Sequence, residues 1–299
     1  MDGLAIDVRA LEKRYGETEA LRGLTFGVPQ GSLCGFLGRN GAGKTTTLKL
    51  LLGMCRPNAG EGFVFGMPID READSVAIRR LTAFVSESKD LYPFATVDQM
   101  IRITRGACSG WRRDLEAKYL KLFELKPKQK VTSLSRGNLT RLNLLLALCR
   151  GARLLMLDEP TQGLDTVVRE EVLQALVSYV ATEEATIFLS SHELHEVEQI
   201  CDRVVIIDHG RALLEGDLDE LKSSFRRIRA TFPQAPPAES WNGVQALVQE
   251  GRTVSMLVSG HVDDVVARAR SMEATAVAVD PVTLKEIFLD LVRPDDARS

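Results

Sequence analysis

Residues 38–46 read Gly-Arg-Asn-Gly-Ala-Gly-Lys-Thr-Thr, a complete G-x-x-x-x-G-K-[ST] phosphate loop. Glycines let the backbone wrap closely around an anion, and successive N–H groups then point inward at it. In this pattern Lys44 reaches the β- and γ-phosphates of a nucleoside triphosphate, and the Thr45 hydroxyl faces Mg²⁺. Gly38, Arg39, Asn40, Gly41, Ala42, Gly43 and Thr46 complete the expected cradle. A second chemical signal is Leu154-Leu155-Met156-Leu157-Asp158-Glu159, an apolar run ending in two carboxylates. Asp158 is placed to hold Mg²⁺, usually through water, and Glu159 to take a proton from attacking water. Alone, such a pair is an ordinary strand end; beside a phosphate loop it reads as the metal and hydrolysis side of one site. Leu134-Ser135-Arg136-Gly137-Asn138 opens a helix whose Ser- and Gly-bearing N-terminus suits an anion.

The elements around these residues fit that chemistry. Leu33 to Leu37 reads as a short buried strand and Thr46 to Leu52 as a helix ended by Gly53, giving strand, loop and helix in the order a phosphate site needs. Residues 4–30 predict an antiparallel β layer closed by Pro29-Gln30-Gly31. Apolar runs at Leu81–Val85, Leu154–Leu157, Thr186–Leu189 and Val204–Ile207 alternate with helical stretches, the pattern of a mostly parallel sheet covered on both faces. A closing hairpin turns at Asp208-His209-Gly210. Between about 91 and 150 three helices are expected: from a Thr96 cap to Arg105, from Arg113 to Glu124, and from Arg136 to Cys149. The fold class is α/β, with this helical block inserted in the core.

Around 222 the pattern changes, which divides the chain into a 1–222 domain and a small α+β domain over 223–299. Pro233, Pro236 and Pro237 mark a linker or loop. A hairpin turning at Glu250-Gly251, a helix over Val262–Met272 and a strand over Thr275–Val279 follow. In the last helix Asp280 is the expected cap, Pro281 the first residue, and Leu284, Ile287, Phe288 and Leu291 the apolar stripe.

With 44% apolar and 26% charged residues and a net charge of −3, the 299-residue chain has an ordinary soluble composition and no bulk electrostatic pull toward nucleic acid. The basic clusters at 112–113, 126–130 and 226–229 read as solvated faces. Five scattered cysteines lack C-x-x-C spacing and read as reduced thiols of a cytosolic protein. No secretory leader is visible, and no apolar run approaches the roughly 20 residues of a membrane span.

In this order and spacing the motifs resemble the ATP-binding subunit of an ABC transporter, over residues 4–222. The resemblance implies a P-loop NTPase cassette that takes ATP and Mg²⁺. Tyr15, in Lys13-Arg14-Tyr15-Gly16, matches the aromatic that stacks on adenine. Ser135, Gly137 and Asn138 match the signature motif that binds the partner's ATP. Gly163-Leu164-Asp165 matches the loop crossing to the partner, and His192 in Ser190-Ser191-His192-Glu193 the switch histidine that senses the γ-phosphate. Three positions in two motifs depart from the family pattern. Arg136 and Asn138 replace Gly and Gln in the usual Leu-Ser-Gly-Gly-Gln, and Glu87 stands where Gln is usual. Glu87 carries two readings of similar weight, a contact on the metal side and a surface acid in a mobile loop.

The implied working unit is a head-to-tail dimer with ATP between the phosphate loop of one subunit and the signature helix of the other. The second cassette is another copy or a sister subunit. Glu159 and His192 are the expected catalytic residues; Thr45, Asp158 and Glu87 are the expected metal-side ones. The helical block and the Glu87 loop, with Leu91-Tyr92-Pro93-Phe94, are expected to meet a separate membrane subunit, placing the chain on the inner face of the cell membrane. The tail resembles, more weakly, the C-terminal extension of bacterial export-type ABC ATPases. The main alternative is an ATP-gated regulatory module with little hydrolysis, favoured by the altered signature and opposed by Glu159 and His192. Soluble repair or translation ATPases of the family carry coiled-coil insertions or tandem cassettes, and neither is present.

Overall fold

The computed structural model describes residues 3–88, 90–235, 241 and 243–292. The chain divides into two units, Met1–Glu215 and Gly216–Ser299.

The first unit opens with two long antiparallel strands, β1 (Leu4–Tyr15) and β2 (Thr18–Pro29). Leu24, Phe26 and Val28 are buried and their neighbours less so, the period-2 signature of a half-covered sheet. Strands β4 (Ala59–Val64) and β5 (Met67–Pro68) extend this sheet in the order β2-β1-β4-β5. The sequence analysis places no element there, because Ala59-Gly60-Glu61-Gly62 lacks the branched and aromatic residues that mark strands. Helix α2 (Glu72–Leu81), also unforeseen, follows.

The second sheet is built from β3 (Leu33–Gly38), β6 (Thr82–Val85), β7 (Leu154–Asp158), β8 (Thr186–Ser191), β9 (Arg203–Asp208) and β10 (Arg211–Asp217), in the order β10-β9-β3-β8-β7-β6. The pairs β3/β8, β3/β9, β7/β8 and β6/β7 are parallel. Every residue of β3, β7 and β8 is buried, as strands covered on both faces must be. Phe26 of the first sheet packs on Phe36 and Phe188 of the second, with ring centroids 5.3 and 5.6 Å away. Helices α1 (Lys44–Leu51), α6 (Thr166–Glu183) and α7 (Leu194–Ile200) complete the α/β core.

The helical block has the three expected members, α3 (Val97–Gly106), α4 (Arg113–Leu122) and α5 (Arg136–Leu148). Thr96 caps α3 in a reciprocal capping box with Gln99. Leu142, Leu144, Leu145, Leu146 and Leu148 of α5 are all buried. No helix among the described residues is long and apolar enough to cross a membrane.

The second unit contains α8 (Leu218–Ser224), β11 (Phe225–Thr231), β12 (Val244–Glu250), β13 (Thr253–Ser259), α9 (Val262–Ser271), β14 (Ala276–Pro281) and α10 (Leu284–Leu291). Its sheet runs β12-β13-β11-β14, with β12 and β13 forming the hairpin at Glu250-Gly251. Pro233 lies in the loop after β11, while Pro236 and Pro237 lie outside the described residues.

Two expectations are corrected here. Asp280 and Pro281 do not start the last helix. Both remain in β14, paired with Arg227 and Arg226 of β11, and Asp280 Oδ2 accepts from Arg229 Nη2 at 2.7 Å. The cap is Thr283, whose Oγ1 accepts from the Glu286 amide at 3.3 Å while Glu286 Oε2 accepts from the Thr283 amide at 2.9 Å. That backbone bond holds the Glu286 carboxyl below its ordinary range. The Arg226–Arg229 cluster is not simply a solvated face either. Arg227 turns inward and donates from Nη2 to the buried Asp290 at 2.8 Å.

Candidate functional site

Strand β3 delivers the chain to the phosphate loop, and α1 starts at its far end. The N-cap of α1 is Gly43, with φ 111° and no side chain capping the helix, so the first N–H groups remain available to an anion. A Cβ on Gly43 would stand 2.7 Å from Leu21 Cδ2 and 2.9 Å from the Ala20 carbonyl of β2. A Cβ on Gly210, in the turn after β9, would stand 2.7 Å from the same carbonyl. The Gly210 amide also donates to Ala42 O at 3.0 Å, so the loop is wedged between β2 and this turn.

Arg39, Asn40, Gly41, Gly43, Lys44, Thr45 and Thr46 line one cleft of about 340 Å³, together with Glu87 and Glu159. Ala42 is buried beneath the loop, and the Gly38 carbonyl accepts from Lys44 Nζ at 2.7 Å. Lys44 Nζ also forms an ion pair with Glu159 Oε1 at 3.0 Å, both side chains being 7% exposed. A larger cavity of about 550 Å³, bordered by Leu4, Phe63 and Phe65, shares none of these residues.

Strand β7 brings two carboxylates to the cleft. Asp158 Oδ1 accepts from Ser190 Oγ at 2.6 Å, and its Oδ2 from Thr45 Oγ1 at 2.9 Å. Thr45 and Asp158 therefore present adjacent hard oxygens, the donor chemistry Mg²⁺ selects. Glu159 sits at φ 47°, in the left-handed region, with its amide donating to Ser190 O and Oγ, both at 3.2 Å. This turn swings the carboxylate away from the strand line: Oε1 faces Lys44 and Oε2 lies 2.8 Å from His192 Nδ1. An ionised carboxylate only accepts, so Nδ1 is the nitrogen that carries the proton. Cation, metal-side oxygens, carboxylate and imidazole thus converge on the end of the phosphate loop. The arrangement can bind a triphosphate and deprotonate a water beside it.

Tyr15 ends β1 half exposed and is not among the cleft-lining residues. Its hydroxyl is 3.7 Å from Cys55 Sγ, and Lys13 Nζ lies 5.0 Å from the ring centroid. Burial, then the Cys55 contact, pushes the phenol above its ordinary value. One ring face is thus approached by a cation, and the residue is 48% exposed.

None of Ser135, Gly137 and Asn138 lines the phosphate cleft. Ser135 caps α5, its Oγ accepting from the Asn138 amide at 3.2 Å. Asn138 Oδ1 accepts from Arg141 Nη1 at 3.0 Å, and Arg141 in turn pairs with Glu171 of α6. Asp165, after Gly163 and Leu164, caps α6 by accepting from the Val168 amide at 3.0 Å.

Sequence reasoning missed Ser190 and Gln162. Ser190 joins Asp158 to the Glu159 backbone, and Gln162 lines the cleft. The Ser-Ser-His run that closes β8 and passes just beyond it was the available signal for Ser190; nothing local marks Gln162.

The family profile described as ABC transporter matches residues 21–162. The Nod factor export ATP-binding protein I of Burkholderia orbicola (strain AU 1054) is 39% identical over 71% of this chain and 70% of its own length. The bacitracin transport ATP-binding protein BcrA of Bacillus licheniformis is 36% identical over 73% and 71%. The daunorubicin resistance ATP-binding protein DrrA3 of Streptomyces coeruleorubidus is 35% identical over 99% and 98%. A solved ATP-binding subunit of an ABC transporter superposes with a TM-score of 0.66 at 28% identity, covering 73% of this chain and 92% of that one. A dimeric ATP-binding cassette solved in a post-hydrolysis state with ADP and Pi shares the fold, with a TM-score of 0.64 at 22% identity over 71% of this chain and 98% of that one.

Proposed function

The chain belongs to the ABC transporter family of ATP-binding subunits, and from that premise we propose how its residues divide the work. It binds and hydrolyses ATP to drive export, as a dimer of cassettes acting with a membrane subunit. The observation that carries the division of labour is the contact chain Lys44–Glu159–His192 beside the Thr45–Asp158 pair, with Lys44, Thr45 and Glu159 lining the cleft.

Lys44 and the amides of residues 39–46 hold the phosphates, and Tyr15 stacks on the base. Glu159 takes the proton of the attacking water, with His192 orienting the carboxylate and contacting the γ-phosphate. Thr45 and Asp158, with Glu87 at the rim, hold Mg²⁺, which offsets phosphate charge when bound. Ser135, Gly137 and Asn138 complete the partner's site across a head-to-tail interface with a second copy or a sister subunit. Because ATP touches both halves only in the closed state, its binding favours closure and its hydrolysis releases it.

The chain is peripheral, on the inner face of the membrane, and its partner is a separately encoded multi-span protein. The support is the exposed pair Tyr92 and Phe94, with ring centroids 5.6 Å apart and Phe94 75% exposed, on the approach to α3. The test is to tag the Glu159→Gln chain, add ATP, and recover it from detergent-solubilised native membranes. A multi-span protein at stoichiometric yield supports the export reading. Recovery of ATP-dimerised chain alone, with ATPase activity no higher than that of Glu159→Gln in the parent, replaces it with the regulatory-module reading.

A further inference from the structure

Behind the cleft, α7 carries a buried carboxylate that the chemistry above does not use. Glu196 is 2% exposed. Its Oε2 accepts from Thr161 Oγ1 at 2.6 Å and more loosely from Ser191 Oγ at 3.5 Å, and its Oε1 pairs with Arg169 Nε at 3.1 Å. Arg169, in α6, also donates from Nη2 to the Leu164 carbonyl at 3.3 Å. The partners belong to two working segments, the turn that runs from Glu159 through Leu164 and the strand end before His192. Thr161 lies two residues beyond Glu159, Ser191 immediately precedes His192, and Leu164 is the centre of the Gly163-Leu164-Asp165 loop. A buried carboxylate is costly to desolvate, and that burial pushes Glu196 above the ordinary carboxylate range. An apolar side chain would fill the same space with less penalty, so stability alone does not account for a charge here.

We propose that Glu196 is a positioning residue that ties the turn from Glu159 through Leu164 to the segment before His192, directly through Thr161 and Ser191 and through Arg169 at Leu164. A displacement at Leu164, on the face argued above to meet the second cassette, then reaches both groups that handle the attacking water. The tie rests on the proposed roles of Glu159, His192 and the Leu164 loop. It is separable from the packing of α6 on α7, because Gln199 Nε2 donates to both Glu170 oxygens at 2.9 Å and holds the two helices together independently.

The test compares the purified full-length parent chain with Glu196→Gln, which keeps the volume and an acceptor for Thr161 but loses the charge facing Arg169. Steady-state kcat, KM for ATP, affinity for a fluorescent ADP analogue and melting temperature are measured together. The expected result is a kcat lower by about tenfold or more, with KM and ADP affinity within about twofold of the parent. Arg169→Gln, at a partly exposed position, should reproduce the loss, and the double variant should lose no more than the worse single one. A kcat within twofold of the parent overturns the proposal, as do additive losses or an equal fall in ADP affinity. If the parent chain itself hydrolyses no more ATP than Glu159→Gln, the functional reading fails instead. ATP-driven dimerisation of Glu159→Gln with and without Glu196→Gln then decides: about tenfold weakening supports the tie, and unchanged dimerisation overturns it.

Discussion

Lys44 and Glu159 neutralise each other in a buried ion pair 3.0 Å long. Each is also anchored elsewhere, Lys44 on the Gly38 carbonyl and Glu159 on His192. On the proposed division of labour, a γ-phosphate competes with this carboxylate for the ammonium and in doing so frees it for water. Binding and activation of the base become one exchange of partners.

Glu159→Gln should consequently have two effects of opposite sense. Hydrolysis should fall by about a hundredfold or more, the contribution expected of a positioned general base. Affinity for a non-hydrolysable ATP analogue should rise by about three- to tenfold, because Lys44 no longer leaves a charged partner, and that for ADP, which lacks the γ-phosphate, should change less. Equilibrium titration with a fluorescent analogue reads the second effect, and a weakened affinity would contradict the exchange.

Ser190 supports the metal side from beneath, holding Asp158 Oδ1 and the Glu159 amide at once. Ser190→Ala should raise the Mg²⁺ concentration for half-maximal hydrolysis by about tenfold, while leaving kcat at saturating Mg²⁺ within a few-fold. A Mg²⁺ titration of ATPase activity checks this, and EDTA in excess should abolish hydrolysis in both chains.

For Tyr15, the proposed stacking puts the base on the ring face opposite Lys13. Tyr15→Ala should weaken ATP by about tenfold, in keeping with base–aromatic stacking, and leave inorganic triphosphate unaffected. Tyr15→Trp should restore ATP binding. Parallel calorimetry of the two ligands separates stacking from a disturbed phosphate loop.

In the second unit, Asp290 is buried against Arg227, whose side chain is 18% exposed. Asp290→Ala leaves that guanidinium only the more distant Glu286 at 3.8 Å and Ser255 Oγ at 3.4 Å, and should destabilise the unit by about 3 kcal/mol, the lower end for breaking a buried pair. Denaturant melts followed at Trp241, which packs in this unit's core, read the loss.

What the sequence revealed of the fold was what is encoded locally. The 38–46 loop, the run into Asp158 and Glu159, and the Thr96 cap each carry their signal within a few residues. The 59–81 segment was silent because its strand is glycine-rich and takes its shape from pairing with β1. Asp280-Pro281 misled because the dipeptide is a good helix start, yet pairing with β11 keeps both residues extended until Thr283. Ser190 and Glu196 matter through partners roughly thirty residues away in the chain, a distance at which no motif announces a contact. The inward turn of Arg227 follows from strand alternation opposite α10 and could be read only once that helix had a place.

The wedge that grips the phosphate loop carries a thermodynamic corollary. Gly43 and Gly210 both press on the Ala20 carbonyl with no room for a methyl group, and the loop is bonded to that turn through Ala42. The Ala42–Gly43 end of the loop has already surrendered its backbone freedom to folding, so less remains to be lost there when a triphosphate arrives. That part of the ordering entropy which opposes anion capture by a flexible glycine loop is met by the contact between the two sheets, and to that extent affinity is a property of the assembled core.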